Sequence, residues 1–336
     1  MISTNTSLDF GLRKLLAHLV PHATGLTGLH ALSGGASQET WAFNVQGLAG
    51  ETPFIMRRTG AGSAAQLTDS PGMEVEAMLI ELARAAGVPV PGVRYVLRPE
   101  DGLGSGFIMD RIQGETIARK ILRDPQFDAI RPTLARACGG YMARIHGIER
   151  KLLPPLRVVS ASTEVERYFG VYHHFKQPRP VFELAFRWLQ DNAPTDEHAL
   201  TLVHGDFRNG NLIIGPDGVR AVLDWELAHI GDPMEDLGWI SVNSWRFGNI
   251  DFPVGGFGSR EELFAGYEAQ SGQPVDPERV KFWEVLGTIK WGLMCQMMAE
   301  TFQNGVTRSV ERAAIGRRSS ETEIDLLCLL ALRAGE

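Results

Sequence analysis

Only three cysteines occur in 336 residues, at positions 138, 295 and 328. They lie far apart and without metal-ligand spacing, which argues against a disulfide framework or a cysteine-held zinc and for buried thiols in a reducing compartment. No apolar run approaches bilayer-spanning length, and the start Met1-Ile2-Ser3-Thr4-Asn5 lacks the charged and apolar segments of a secretory leader. Basic residues are the minority, 33 Lys and Arg against 40 Asp and Glu, and the net charge of -7 comes without a basic tail. That balance disfavours nonspecific nucleic-acid binding. Internal repeats and low-complexity tracts are missing too. The expectation is a cytoplasmic protein with no nucleic-acid or membrane partner, 44% hydrophobic and long enough for two lobes.

What is present divides unevenly along the chain. Leu8 to Leu19 has helical periodicity and predicts a lead-in helix. Short strands are expected at Leu29 to Leu32, Thr40 to Val45, Phe54 to Arg57, Val93 to Leu97 and Gly106 to Met109. Gly60 to Gly72, rich in Gly, Ala and Ser, reads as a mobile loop. Met73 to Ala86 predicts a helix stopped by Gly87 and by Val88-Pro89-Val90-Pro91. From Arg131 onward helices dominate. A strand-rich first third joined near Asp110 to Gly114 to a helical remainder predicts an α+β bilobal architecture: an N-lobe over residues 1–112 and a C-lobe over 113–336.

The chemistry concentrates in Leu202-Val203-His204-Gly205-Asp206-Phe207-Arg208-Asn209-Gly210-Asn211-Leu212 and in Ala221-Val222-Leu223-Asp224-Trp225-Glu226. Asp206, Asn211 and Asp224 each sit between apolar runs that read as strands. Phosphoryl transfer to an alcohol needs a group that orients the hydroxyl and oxygen ligands for Mg²⁺ on the nucleotide. His-x-Asp, an Asn five residues after the Asp, and a second Asp beyond the next hairpin supply those parts in the order found in kinases. Two ordinary surface hairpins would be the bland alternative. The segment resembles aminoglycoside phosphotransferases and related small-molecule kinases, in which His-Gly-Asp replaces His-Arg-Asp and Asp-Trp-Glu replaces Asp-Phe-Gly. The resemblance runs from about Leu26 to the C-terminus. Asp224 to Pro233, Phe282 to Gly287 and Ala313 to Arg318 give it the flavour of a bacterial branch related to the kinase-like region of acyl-CoA dehydrogenase fusion proteins.

The resemblance implies a protein-kinase-like fold using ATP, with GTP an open alternative, and Mg²⁺. Asp206 would accept or orient the acceptor's proton, and Asn211 and Asp224 would hold the metal. His204 would fix the loop, and Arg208 is either a neutraliser of transition-state charge or a surface residue. Gly34, Gly35 and Ser37 lie in a turn whose N–H groups could cradle phosphate, although a Gly-Gly turn between strands is usually only a hairpin. Arg57 stands where kinases generally carry Lys, with Glu76 as its implied partner and Glu74 and Glu81 as alternatives. Strand alternation turns Arg58 to the opposite face, as a solvated edge-strand charge. Met109, with main-chain groups near Asp110 and Ile112, would meet the purine. Asp232-Pro233-Met234-Glu235 has a helix-start signature, with Asp236 inside that helix bracing the catalytic loop. His146 reads as a packed side chain.

The acceptor is less legible. A polycationic antibiotic should prefer an acidic pocket. Residues 281 to 318 instead carry Lys281, Lys290, Arg308, Arg312, Arg317 and Arg318 against Glu284, Glu300 and Glu311. Trp239, Trp245, Trp283 and Trp291 are candidates to line a groove or to pack the core. The lean is toward a neutral or anionic hydroxylated metabolite, a hydroxyacyl thioester among them, with an antibiotic kinase as the alternative. A nucleotide-binding regulatory module without turnover is the competing class. A protein kinase is disfavoured because no Ala-Pro-Glu signature follows Asp224. Oligomeric state stays open.

Overall fold

The computed structural model describes residues 2–32, 38–59, 70–195, 200–306 and 309–331. Helix α1 (Ile2–Leu19) leads into strands β1 (Gly25–Ala31), β2 (Gln38–Gly47) and β3 (Gly50–Thr59), then α2 (Met73–Ala85), β4 (Val93–Val96) and β5 (Gly106–Asp110). The five strands form one sheet in the order β1-β2-β3-β5-β4, antiparallel at every neighbour pair. Strands β2 and β3 extend their predicted apolar runs at both ends, because backbone pairing continues past the last apolar side chain, whereas β1 starts four residues early and stops at Ala31 and β4 stops one residue short, at Val96. The predicted loop falls largely on residues 60–69, outside the described residues.

Period-two alternation explains how this sheet serves two cores. Phe43, Val45, Phe54, Met56 and Ile108 pack with Leu8, Leu12, Leu15 and Leu16 of α1. Ala42, Ile55, Phe107 and Met109, one residue out of step, belong to the core that includes Ala77 and Ile80 of α2. Side chains two apart share a face, so Arg57 follows Ile55 toward α2 and Arg58 follows Met56 toward α1. Arg58 is not the solvated edge charge that the sequence suggests. β3 lies inside the sheet, and Arg58 is 8% exposed, pairs with Glu39 at 2.7 Å and donates to the Leu103 carbonyl at 3.0 Å.

The second lobe is mainly helical: α3 (Ala118–Arg123), α4 (Leu134–His146), α5 (Ala161–His174), α6 (Pro180–Asp191), α7 (Met234–Ser241), α8 (Arg260–Ser271), α9 (Pro277–Gln303), α10 (Val310–Gly316) and α11 (Ser319–Leu330). Between α6 and α7 run β6 (Thr201–Val203), β7 (Leu212–Gly215), β8 (Gly218–Val222) and β9 (His229–Gly231). They pair as β7 with β8 and β6 with β9, both antiparallel. The start of α7 departs from the predicted capping box. Asp232 does accept from the Met234 amide at 2.9 Å, but Glu235 turns to His229 at 3.1 Å, a buried partner that outcompetes an N-terminal amide. Among the described residues no helix is long and apolar enough to cross a membrane.

Two helix contacts are made at backbone distance. A Cβ on Gly139 of α4 would strike the Leu263 carbonyl and stand 2.8 Å from the Tyr267 amide of α8, and one on Gly266 would strike the Arg136 carbonyl. In the other, Gly238 of α7 faces the backbone of α9, where a Cβ would sit 2.7 Å from the Glu284 amide. Backbone cannot yield as a flexible side chain can, so overpacking is costly at these positions. Gly139→Ala is expected to lower unfolding free energy by about 1–3 kcal/mol in denaturant titration. An unchanged midpoint would mean that α4 and α8 separate freely.

Candidate active site

Strand β6 ends at Val203 and delivers His204, Gly205 and Asp206 into a buried loop. Gly205 has φ +79°, and a Cβ there would lie 2.5 Å from the Leu227 carbonyl, so glycine is required. Asp236 of α7 holds this loop by its backbone. Its Oδ2 accepts from the His204 amide at 2.9 Å, and its Oδ1 accepts from the Gly205 amide at 2.9 Å. His146 Nε2 adds a third donor at 3.0 Å. Burial works against the Asp236 charge, but the hydrogen bonds from His146 and the loop amides outweigh it and hold the carboxyl below its ordinary range. His204 is also buried, which depresses its pKa and favours the neutral ring. The ring accepts at Nδ1 from the Asp206 amide (3.2 Å), donates from Nε2 to the Leu223 carbonyl (3.1 Å) and lies 4.6 Å from the Trp225 ring. The bracing role read for Asp236 and the loop-fixing role implied for His204 both correspond to contacts in the structure.

Asp206 is 9% exposed and carries three donors. Oδ1 accepts from Arg208 Nε at 3.0 Å and from Trp239 Nε1 at 2.7 Å; Oδ2 accepts from Asn211 Nδ2 at 2.6 Å. Arg208 is therefore no free surface residue; its guanidinium lies 4.5 Å over the Trp245 ring. Asn211 Nδ2 also donates to the Asp206 main-chain carbonyl at 2.9 Å, so the amide oxygen is the prong left for a cation. Asp224 follows β8 in the left-handed region, φ +69°, a conformation that Asp tolerates better than most residues and that recurs at functional sites.

The two lobes meet through Arg57. Its Nη2 donates to Asp224 Oδ1 at 3.0 Å and to Gln38 Oε1 at 2.5 Å, and its Nη1 stands 3.6 Å from Glu76 Oε2. Gln38 in turn donates to Glu76 Oε1 at 3.0 Å. Burial pushes Glu76 up against the pull of Arg57; burial opposes the Arg57 charge too, but Glu76 and Asp224 outweigh it and raise that guanidinium. Of the alternative partners, Glu81 pairs instead with Arg84. Met109 is buried in the core behind α2. The Asp110 amide donates to the Gly92 carbonyl at 3.0 Å and its carboxylate pairs with Arg94 at 2.7 Å, so Ile112, half-buried, follows a strand end already held from both sides. Gly34, Gly35 and Ser37 lie outside the described residues.

Four contributors escaped sequence reading. Gln38 bridges Arg57 and Glu76 across elements far apart in sequence. Trp239 donates to Asp206, and Lys290 of α9 donates to the Gly205 carbonyl at 3.2 Å. Glu226, the last residue of the Asp-Trp-Glu run, is pushed up to about 7 by burial and then by Asp224. Only Glu226 had a sequence signal, its place in that run. Asp224, Glu76 and Asp206 all act on Glu226 in the same direction, with Arg57 the opposing charge. Asn211 and Asp224 offer oxygen donors suited to Mg²⁺, which takes one or two protein ligands and completes its shell with phosphates and water. Among the described residues no group of three or more His, Cys, Asp or Glu side chains is placed to hold a metal ion.

Comparisons with known proteins bear on the family and the fold. The family model "Phosphotransferase enzyme family" matches residues 28–283. Acyl-CoA dehydrogenase family member 10 of Mus musculus is 28% identical over 243 residues, covering 68% of this chain and 21% of that protein. The chain spans about a fifth to a third of the length of the curated relatives it matches. A Ralstonia eutropha structure described provisionally as an aminoglycoside phosphotransferase superposes with TM-score 0.73 at 20% identity, covering 96% of this chain and 97% of that one. A thermostable mutant of aminoglycoside phosphotransferase APH(4)-Ia, in ternary complex with ADP and hygromycin B, gives TM-score 0.62 at 15% identity, covering 97% and 100%. The fold is the bilobal, kinase-like α+β arrangement, and the chain belongs to the phosphotransferase enzyme family.

Proposed function

We propose that this chain transfers the γ-phosphoryl group of ATP to a hydroxyl of a small metabolite, with residues 1–112 holding the nucleotide and residues 113–336 carrying catalysis and acceptor binding. The carrying observation is the convergence of Asp206, Asn211 and Asp224 with the Arg57–Gln38–Glu76 group, drawn from both lobes. Asp206 orients the acceptor hydroxyl. A free alcohol is too weak an acid for a carboxylate to ionise beforehand, so position counts for more than basicity. Asn211 and Asp224 hold Mg²⁺, which when bound neutralises phosphate charge. Arg57 grips the phosphates, its side chain oriented by Glu76 and Gln38. Met109 with the backbone at Asp110 and Ile112 meets the base. Arg208, beside Asp206, offsets charge developing on the transferred group.

For the acceptor, a neutral or anionic metabolite such as a hydroxyacyl thioester is favoured over an aminoglycoside. Trp239, Trp245 and Trp291 stack edge to face, 5.1 and 4.8 Å between neighbours, beginning at Asp206. Each carries a cation over its ring: Lys290 at 4.5 Å, Arg208 at 4.5 Å and Arg318 at 5.9 Å. Glu284, the central acid of this region, is neutralised by Arg246 and Arg260. Cations over all three rings favour an anionic over a polycationic acceptor there, with Arg208 and Arg318 also paired to Asp206 and Glu321. The name of the acyl-CoA dehydrogenase relative points to acyl thioester chemistry in its neighbourhood. Incubation with Mg·ATP and two acceptor panels, hydroxyacyl thioesters and aminoglycosides, followed by mass spectrometry for a gained phosphoryl group, tests the choice. Phosphorylation confined to the aminoglycosides overturns it, and nucleotide binding with neither transfer nor hydrolysis favours a regulatory module.

Asp206→Asn is expected to cut turnover severely while leaving Mg·ATP binding near wild type; near-normal kcat removes Asp206 from its role. Asp224→Ala should weaken Mg²⁺-dependent nucleotide binding because it removes the charged member of the ligand pair, and calorimetry showing unchanged Mg·ATP affinity would refute that arrangement. Arg57→Ala should lower ATP affinity about tenfold or more, since charge-assisted bonds contribute roughly 1.5–3 kcal/mol each, with little effect on adenosine. Arg57→Lys should recover part of the loss, because charge survives but the fork does not. Equal losses for ATP and adenosine would indicate pocket collapse instead.

A further inference from the structure

Asp206 Oδ1 and Oδ2 are not equivalent. Oδ1 receives two donors, Arg208 Nε and Trp239 Nε1, at 3.0 and 2.7 Å. A carboxylate oxygen has two in-plane lone pairs, so Oδ1 is filled. Oδ2 receives Asn211 Nδ2 at 2.6 Å and keeps one lone pair. The tryptophan donor comes from α7, outside the catalytic loop, and is itself held in place. A Cβ at Gly287 of α9 would stand 3.0 Å from Trp239 Cε3, so a glycine there admits the indole against α9. One turn on, Lys290 lies 4.5 Å over the same ring and donates to the Gly205 carbonyl, next to Asp206. Burial opposes the lysine's charge, but Tyr168, Glu235, Asp206 and Glu164 outweigh it and keep the amine above its ordinary value. A cation over the face withdraws electron density from the indole and strengthens its N–H as a donor.

We propose that Trp239, backed by Lys290, is a positioning residue that fixes the Asp206 carboxylate by its Oδ1 and so assigns Oδ2 as the oxygen that takes the acceptor hydroxyl. This rests on the phosphotransferase role assigned above to Asp206. Without the indole, Oδ1 would keep only the part-exposed Arg208 as donor and a free lone pair of its own; with both donors in place, the carboxylate presents one lone pair, on Oδ2 beside Asn211. Hydrogen bonds to charged groups contribute enough that loss of this one should lower turnover about tenfold to a hundredfold. Nucleotide binding, which Trp239 does not touch, should stay as it is.

Two substitutions separate positioning from packing. Trp239→Phe removes the N–H and part of the ring. Benzothienylalanine placed at position 239 keeps the bicyclic shape and exchanges the N–H for sulfur. Both are expected to lower kcat, measured with the phosphorylated acceptor and with water as acceptor in ATP hydrolysis, while Mg·ATP affinity and KM for ATP stay within about twofold of wild type. Lys290→Met should lower kcat less, and Lys290→Arg should restore it. Independently of turnover, the Trp239 indole proton, identified by its loss in Trp239→Phe, should resonate downfield and move upfield in Asp206→Ala. Wild-type kcat in the benzothienylalanine protein overturns the proposal, as does loss of Mg·ATP binding in that protein, which would make Trp239 a packing residue. An indole resonance indifferent to Asp206→Ala overturns it as well. Asp206→Asn run in parallel tells which idea failed: if it is inactive while the Trp239 variants are active, only the positioning role falls. If Asp206→Asn is itself fully active, the role of Asp206 falls and this proposal with it.

Discussion

The carboxylate of Asp236, sealed from water, is the point on which the catalytic loop hangs. Two loop amides and one imidazole donate to it, from His204, Gly205 and His146. The support extends outward, because His146 Nδ1 accepts from the Tyr267 hydroxyl of α8 at 3.1 Å. Tyr267 and His146 lie in the helix pair that Gly139 and Gly266 bring to backbone contact. A buried charge with satisfied donors is sustained by its network, and removing a partner exposes its full desolvation cost. The loop is thus anchored through its backbone by α4 and α7, while the Asp206 side chain has separate partners in Arg208, Trp239 and Asn211.

Charge at the lobe junction is arranged by the same economy of partners. Arg57 reaches Asp224, Gln38 and Glu76 at once, so the fork of arginine is used in a way that a lysine ammonium, a single point of charge, would not match. Glu226, two residues beyond Asp224, is pushed up to about 7 by burial and by the neighbouring carboxylates, with Arg57 opposing them.

Around Asp206 a second arrangement operates, built from α7 and α9. Their close approach at Gly238 and Gly287 brings Trp239 and Lys290 under the loop. Helix–helix packing between α7 and α9 therefore places the indole that donates to Asp206. The tryptophan run from Trp239 to Trp291 packs in the core, all three rings buried, and the first also donates to Asp206.

The sequence by itself determined the elements and the order of the chemical parts. Alternation in β2 and β3 made the sheet and set Arg57 and Arg58 on opposite faces. The spacing of Asp206, Asn211 and Asp224 was legible because one loop and one adjacent hairpin carry all three. The pairing of Arg57 with Glu76 came from resemblance and proved to be a contact of 3.6 Å. Tertiary structure alone decided the rest. Arg58 reads as a solvated charge until β5 pairs with β3 and makes that strand interior. Glu235 reads as a cap until His229 arrives from the neighbouring strand. Gln38, Trp239 and Lys290 carry no local signal, because their partners lie 38, 33 and 85 residues away. Hydrogen bonds and charge interactions fall off over a few ångströms in space and take no account of separation along the chain, so only the folded backbone could place those donors beside the groups they hold.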